Sequence, residues 1–437
     1  MNVLIVNTSE RAGGAAVAAS RLMDALIKHG VKAKMLVRDK QSDSLTVVEL
    51  PGRWRQQWCF LWERLVIFIR LHFSRKHLFE IDIANTGSNI IRLREFREAD
   101  VIHLHWINQG LLSLSDIRRI LLTGKPVVWT MHDIWPATAI CHLTLGCNQF
   151  KSACHYCKYL HGRGFVHLPA LKAGAPGSAN DLSASVWRRK QRMLSGQSIT
   201  FVACSRWLEG EAKQSELLRR QKITSIPNPI DTHLYKAGDK KAARQRLSLP
   251  TDRRIILFVS QRVTNRNKGM DYLIEACNLL AQQYPDMKHD TAVAILGGHA
   301  DDVAHKLPFQ TYPLGYISDE RQIVHVYNAA DVFVLPSLSE NLPNTIMEAM
   351  ACAVPCVAFR VGGIPEEIDH QKNGYVAAYR DAADLARGIR WVLDEADYPS
   401  LSKAAVTKVS HCYSQQSVAL KYTELYNEAI AQKHYNL

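Results

Sequence analysis

DVFVLPSLSENLPNTIMEAMACAVPCVAF, residues 331–359, runs from an apolar β-branched stretch through a polar loop and a helical pattern into a second apolar stretch. Strand, loop, helix and strand in that order form the repeating unit of a parallel sheet. Pro343 suits the first helical turn, because the N–H it lacks would have no intrahelical partner there. Leu342 is a poor N-cap, so the opening amides are left to receive an anion at the positive end of the helix dipole. Glu340 sits in the loop, and Glu348 lies about 7 Å along the helix axis from Pro343. That is roughly the step from a diphosphate to the ribose of a nucleotide. A carboxylate accepts hydrogen bonds from hydroxyls, so Glu348 suits a ribose diol and Glu340 the hydroxyls of a sugar beyond the phosphate. Two isolated glutamates at this spacing would only decorate a solvated helix start. Their place after a buried strand and a proline favours a ligand.

The same alternation extends in both directions. VLIVN (3–7), AKMLV (33–37), DVIHLHW (100–106), PVVWTM (126–131) and ITFVAC (199–204) form one series of apolar runs. RIILFVS (254–260), TAVAILG (291–297), DVFVLPS (331–337) and PCVAF (355–359) form a second. Helix-length segments separate them, so two doubly wound α/β domains with parallel sheets are expected. The polar stretch KAGDKKAARQRLSLPTD (236–252) marks the break, which assigns 1–236 to one domain and 237–412 to the other. Residues 413–437 carry an apolar stripe at helical spacing and read as a terminal helix that packs back on one of the domains.

A chain of 437 residues exceeds what one hydrophobic core supports. Its 47% apolar and 22% charged composition is that of a globular protein. The net charge of +13 calls for a nucleic acid, an anionic membrane or a phosphorylated substrate. MNVLIVN at the start is too short for a signal sequence and reads as a buried strand. No uncharged apolar run is long enough to span a bilayer. Ten cysteines without a secretory segment point to a reducing compartment, so a cytoplasmic location is expected.

SENLPNTIMEAMACAVPCVAFRVGGIPEEI, residues 339–368, resembles the signature of retaining glycosyltransferase family 4, and the likeness extends more weakly over nearly the whole chain. Gly13-Gly14 after the first strand, His132-Asp133 after WTM, NPID (228–231), Lys268-Gly269 and PLGYIS (313–318) stand in the family's order. The resemblance implies the GT-B fold: two Rossmann-like domains facing across a cleft, the first binding acceptor and the second a nucleotide-sugar. It implies bacterial polysaccharide biosynthesis as the setting, with a UDP-sugar or GDP-sugar donor, a glycan or lipid-linked acceptor, and retention by front-face attack without a protein nucleophile. It assigns Glu340 to the donor sugar, Glu348 to ribose, and Lys268 with Arg262 to the diphosphate. Arg266 is a rival, because Ser260-Gln261-Arg262 replaces the usual Gly-Arg. Asn341 and Leu342 replace the usual Gly-Phe and take its place beside the donor. Tyr316 and Ile317 frame the base.

These residues make chemical sense without the likeness. Sugar transfer expels a diphosphate whose growing charge must be met by cations, metal or amides. No D-x-D pair follows a strand end, so metal-independent chemistry is expected. Glycines at 13 and 14 let backbone approach a phosphate or acceptor closely, although they also serve a bare turn. His132 would contact the donor sugar or acceptor with Asp133 orienting it, and His103 and His105 end the neighbouring strand. The bland alternative for His132 is a satisfied core histidine.

Two further stretches stand out. CHLTLGCNQFKSACHYC gathers Cys141, Cys147, Cys154 and Cys157, a candidate structural zinc site in an insertion near 141–157, with His142, His155 and His161 as substitute ligands. The alternative is four unlinked thiols. RWRQQWCFLWERLVIFIRLHFSRKH (53–77) mixes tryptophans with basic residues, which suits either a core helix or an amphipathic helix at an anionic membrane surface. A zinc-containing nucleic-acid-binding protein and a GT-B sugar-nucleotide epimerase are the competing functional readings. Dispersed charge and the absence of finger spacing weigh against nucleic acid.

Overall fold

The computed structural model describes residues 1–161 and 181–435, with the side chains of His161, His434 and Tyr435 outside the description. His161, a substitute zinc ligand by sequence, is therefore not placed. The chain divides into two compact units, Met1–Ile226 with Ala419–Leu437, and Pro227–Val418.

The first unit is built on strands β1 (Asn2–Val6), β2 (Lys32–Val37), β3 (Val47–Glu49), β4 (Val101–Leu104), β5 (Val127–Met131), β6 (Thr200–Ala203) and β7 (Lys222–Ser225). They form one sheet in the order β3-β2-β1-β4-β5-β6-β7, with every pairing parallel. The second unit holds β8 (Arg254–Arg262), β9 (Thr291–Gly298), β10 (Gln310–Gly315), β11 (Val332–Leu335), β12 (Cys356–Phe359) and β13 (Gly374–Ala377). Their order is β10-β9-β8-β11-β12-β13, again all parallel. β4, β5, β6, β11 and β12 are buried at every position, because helices cover both faces of such a sheet.

β3, β7, β10 and β13, which the apolar runs do not announce, are the four sheet edges. An edge strand shows one flank to solvent and needs no continuous apolar run. β10 even contains Pro313, which a central strand would not accommodate.

The units divide earlier than the polar stretch 236–252, because Asn228 and Ile230 are already held by the second. Asn228 Nδ2 donates to Asn344 Oδ1 at 3.1 Å, and Ile230 N donates to Tyr413 O at 2.8 Å. The polar stretch contains the helix Lys240–Arg246, N-capped by Asp239. The C-terminal helix, Gln415–Tyr435, joins the first unit from Ala419 onward. There Tyr422 and Tyr426 bury their rings against β4 and β5, with Tyr422 OH 2.8 Å from Thr130 Oγ1 and Tyr426 OH 2.7 Å from His103 Nδ1.

Candidate functional site

In the second sheet the winding reverses between β8 and β11, and ligands of such sheets bind beyond the carboxyl ends of the strands at that point. β8 ends at Arg262, an exposed side chain whose Nε donates to Thr264 Oγ1 at 3.1 Å. Arg266 is exposed as well. A short turn, Arg266–Lys268, then closes at Gly269, with φ +72°. A Cβ there would lie 1.8 Å from Pro336 O, so only glycine lets this turn pack against the loop after β11. Leu338 N donates to Asn267 O at 2.8 Å and fastens the two loops.

Across that junction Lys268 Nζ lies 2.5 Å from Glu340 Oε1. On the other side, Gly363 N donates to Asn341 O at 2.8 Å, and Gly362 (φ +57°) would place a Cβ 1.7 Å from Glu340 O. Glu340 is thus held between two glycine turns. Leu342 is buried within the loop and Asn341 is half-buried.

The helix that follows spans Asn344–Ala351, so Pro343 occupies the N-cap (φ −72°, ψ 114°) rather than the first helical turn, and no side chain caps the helix. Extended ψ at Pro343 sets the chain one residue later into the helix. Glu348 is only 8% exposed and accepts from Tyr327 OH at 2.8 Å. Burial, then Glu348 itself, pushes the Tyr327 phenol well above its usual range, so it stays a donor. Tyr316 is exposed and Ile317 half-buried just beyond β10, at the same carboxyl edge but on the outer strand.

Sequence reasoning missed Glu367. It is wholly buried, neither carboxylate oxygen has a partner, and burial followed by the nearby Glu340 pushes its pKa well above the carboxylate range. Only the tertiary structure reveals this, because GGIPEEI reads as a solvated acidic turn.

In the first sheet the winding reverses between β1 and β4. Gly13 and Gly14, past β1, are exposed at the start of helix α1 (Gly14–Lys28), and Gly13 takes φ +90° with open space, to 4 Å, around the position a Cβ would take. Asn7 Oδ1 accepts from Trp106 N at 2.9 Å, and Thr8 Oγ1 donates to Trp106 O at 2.8 Å, which stitches the loops after β1 and β4. A cavity of about 640 Å³ lined by Asn2, Lys32 and Lys34 lies at the amino edge of this sheet, the opposite edge from these loops.

His132 follows β5. Its Nε2 lies 2.9 Å from His105 Nδ1 and its Nδ1 3.6 Å from Cys204 Sγ. Burial holds its pKa down to about 4, so the ring is neutral at pH 7. Burial likewise lowers His103 to about 3 and His105 well below its usual value. Asp133, expected to orient His132, is engaged elsewhere: His142 Nδ1 donates to it at 2.7 Å, Trp106 Nε1 at 3.1 Å and Trp135 N at 2.8 Å. His142 Nε2 donates to Asp82 at 2.6 Å. Burial opposes charge on His142, but Asp133 and Asp82 outweigh it and raise the pKa to about 10. A buried imidazolium between two carboxylates therefore fixes the segment after β5.

Cys141, Cys147, Cys154 and Cys157 lie near one another: Cys154 feels the charges of Cys141 and Cys147, and Cys157 those of Cys141 and Cys154. Cys141 and Cys157 are neighbours whose interaction draws the Cys141 thiol down to about 7 and pushes Cys157 up. Cys154 and Cys157 pack against the apolar core, and burial raises Cys154 to about 12. His142, a substitute ligand, is committed to its carboxylates. Among the described residues no group of three or more His, Cys, Asp or Glu side chains is placed to hold a metal ion. Lys190, which no motif announces, lies buried in the same region and donates to Trp135 O and, at 3.0 Å, to Thr138 O.

Residues 12–234 match the model of Glycosyltransferase Family 4, and residues 239–407 match Glycosyl transferases group 1. A D-inositol 3-phosphate glycosyltransferase of Catenulispora acidiphila is 29% identical over 201 residues, 42% of this chain and 46% of that protein. The chain spans about half the length of the first such curated relatives it matches. Among solved structures, a sucrose-phosphate synthase from Thermosynechococcus elongatus has a TM-score of 0.63 at 19% identity, covering 99% of each chain. HepE from Anabaena, in complex with UDP, has a TM-score of 0.62 at 17% identity, covering 98% of this chain and 100% of that one. These likenesses show the GT-B fold and give no support to a nucleic-acid-binding protein or an epimerase. With more than half its length matched by one family model and residues 239–407 by a second glycosyltransferase model, the chain belongs to glycosyltransferase family 4.

Proposed function

We propose that this protein transfers a sugar from a nucleoside-diphosphate donor to a glycan or lipid-linked acceptor, with retention at the anomeric carbon, in polysaccharide biosynthesis. The observation that carries the reading is the Lys268–Glu340 pair at the switch point of the second sheet, with Glu348 on the helix that follows. As the sugar–phosphate bond breaks, the charge on the departing diphosphate is met by Lys268, by Arg262 or Arg266, and by the uncapped helix start at Asn344. This chemistry needs no metal ion.

Glu340, exchanging Lys268 for hydroxyl donors, holds the donor sugar beside Asn341 and Leu342. Glu348 accepts from the ribose while Tyr327 keeps it oriented. Tyr316 and Ile317 flank the base. The acceptor oxygen bonds to the anomeric carbon on the face the phosphate leaves, and its proton passes to the departing phosphate oxygen. His132, neutral, hydrogen-bonds a sugar or acceptor hydroxyl, with Gly13 and Gly14 offering close backbone approach. HepE was solved with UDP and with UDP-glucose, which supports a UDP-sugar before a GDP-sugar. A lipid-linked acceptor places the enzyme at the cytoplasmic face of an anionic membrane.

Thermal-shift measurements with UDP-, GDP- and ADP-sugars, followed by analysis of the anomeric configuration of the product, test this reading. Stabilisation by one nucleotide class and a product of unchanged configuration are expected. An inverted product would overturn retention, and no response to any of the three would overturn the donor class.

A further inference from the structure

Helix α2 (Arg53–Arg70) carries its polarity inside out. Trp54, Trp58, Leu61, Trp62, Leu65 and Ile69 are exposed, Trp54 by 81% and Trp58 by 68%. At 3.6 residues per turn they fall within an arc of about 100° on one face. The opposite face buries Gln56, Cys59, Glu63 and Ile67, with Arg64 beside them. Glu63 accepts from Ile83 N at 3.0 Å and Ala84 N at 2.6 Å, while Arg64 donates to Leu78 O at 2.6 Å and pairs with Asp82. The helix is therefore anchored to its unit by polar contacts and presents its largest apolar side chains to water.

Beyond the helix, His72 and Phe73 adopt φ of +54° and +60°, a conformation that bulky side chains seldom take, and Phe73 is 69% exposed. Arg53, Arg55 and Arg70, at the two ends of α2, and Arg75 and Lys76 just beyond it are all exposed. The one acid on α2, Glu63, is turned inward.

We propose that this face is a docking surface for an anionic lipid bilayer, with the tryptophans and Phe73 seated at the headgroup–acyl boundary and the cations on lipid phosphates. Three observations select lipid over a protein partner. Tryptophan is the side chain suited to that boundary, the flanking charge is of one sign, and the apolar residues form a single helical stripe. No helix among the described residues is long and apolar enough to cross a membrane, so contact at this face would be peripheral. Asp82, which receives Arg64, also receives His142 from the segment after β5, so the docking helix and His132 share one support. The proposal deepens the reading of a lipid-linked acceptor and rests on it for its purpose, but not for its test.

The full chain would be sedimented with vesicles of phosphatidylcholine alone and of phosphatidylcholine mixed with phosphatidylglycerol, with tryptophan emission and its quenching by brominated lipid recorded in parallel. Binding to the mixed vesicles, a blue shift and quenching are expected. The combined variant Arg70→Glu, Arg75→Glu, Lys76→Glu should lose partitioning by about a hundredfold. Trp54→Ser with Trp58→Ser should lose both partitioning and quenching, while thermal stabilisation by the donor nucleotide, read in the same samples, stays unchanged. These side chains point outward, and an unaltered melting temperature confirms that the variants fold. Equal sedimentation of wild type and variants would overturn the proposal. So would self-association in sedimentation velocity that the tryptophan variant abolishes, in the absence of vesicle binding, because the face would then join copies of the chain. Loss of the nucleotide response with vesicle binding intact would count against the transferase reading alone.

Discussion

At the carboxyl edge of the second unit, Lys268 and Glu340 meet as a charged, partly exposed pair on loops that glycine turns hold together. At the carboxyl edge of the first, His132 is neutral and leans on His105 and Cys204, while the charged groups nearby, Asp82 and Asp133 with His142 and Arg64, pair with one another inside the unit. On the proposed reading the two edges answer different demands. A diphosphate would need cations that are free to exchange partners, which suits a pair near the surface. A hydroxyl would need only an oriented neutral donor or acceptor, which suits a His132 whose charge burial suppresses.

Lys268→Ala should break this contrast most severely, lowering kcat/KM by about a thousandfold with Lys268→Arg recovering part of it. A loss under threefold would remove the lysine from the diphosphate. Next, His132→Ala should cost about a hundredfold in kcat. In the wild-type enzyme the rate should show no loss from His132 protonation between pH 8 and pH 5, because its pKa lies at about 4. An inflection near 6.5 that disappears in the variant would show a solvated, titrating ring instead.

His142→Ala leaves Asp82 and Asp133 buried without their shared cation, and should destabilise the first unit by about 3–5 kcal/mol while sparing the second. The His142 pKa is raised to about 10 in the folded chain, so its contribution is full below about 6.5. It fades as pH rises through about 10, and chemical denaturation against pH measures it. The smallest effect belongs to Glu367. Its folded pKa is raised, so it penalises folding increasingly as pH rises past the ordinary glutamate value of about 4.3. Glu367→Gln should therefore stabilise the second unit at pH 8 by about 1–3 kcal/mol, and destabilisation would mean the carboxyl has a partner.

The second edge was legible in the sequence because its parts are contiguous. Strand, loop, proline and helix stand in one run, and Lys268 follows a strand of its own. The first edge was not, because its support is gathered from Asp82, His105, His142 and Tyr422, which no local pattern links. Asp133 is an instance: adjacency in sequence suggested that it orients His132, whereas its carboxylate turns to His142 and two tryptophans. The cysteines are a further instance: spacing groups four thiols, and only packing shows that Cys154 and Cys157 lie against the core. Central strands announced themselves through burial on both faces. Edge strands such as β7, half-exposed, did not.

The central claim is that a nucleoside diphosphate binds at the loop and helix from Glu340 to Glu348. Calorimetric titration of UDP into the wild-type protein and into Glu348→Ala tests it most directly. The account predicts that the variant stays folded, with a melting temperature lowered because the buried Tyr327 hydroxyl loses its acceptor, and binds at least about tenfold more weakly, as expected for loss of a charge-assisted hydrogen bond to ribose. Equal affinity in the two proteins would contradict it.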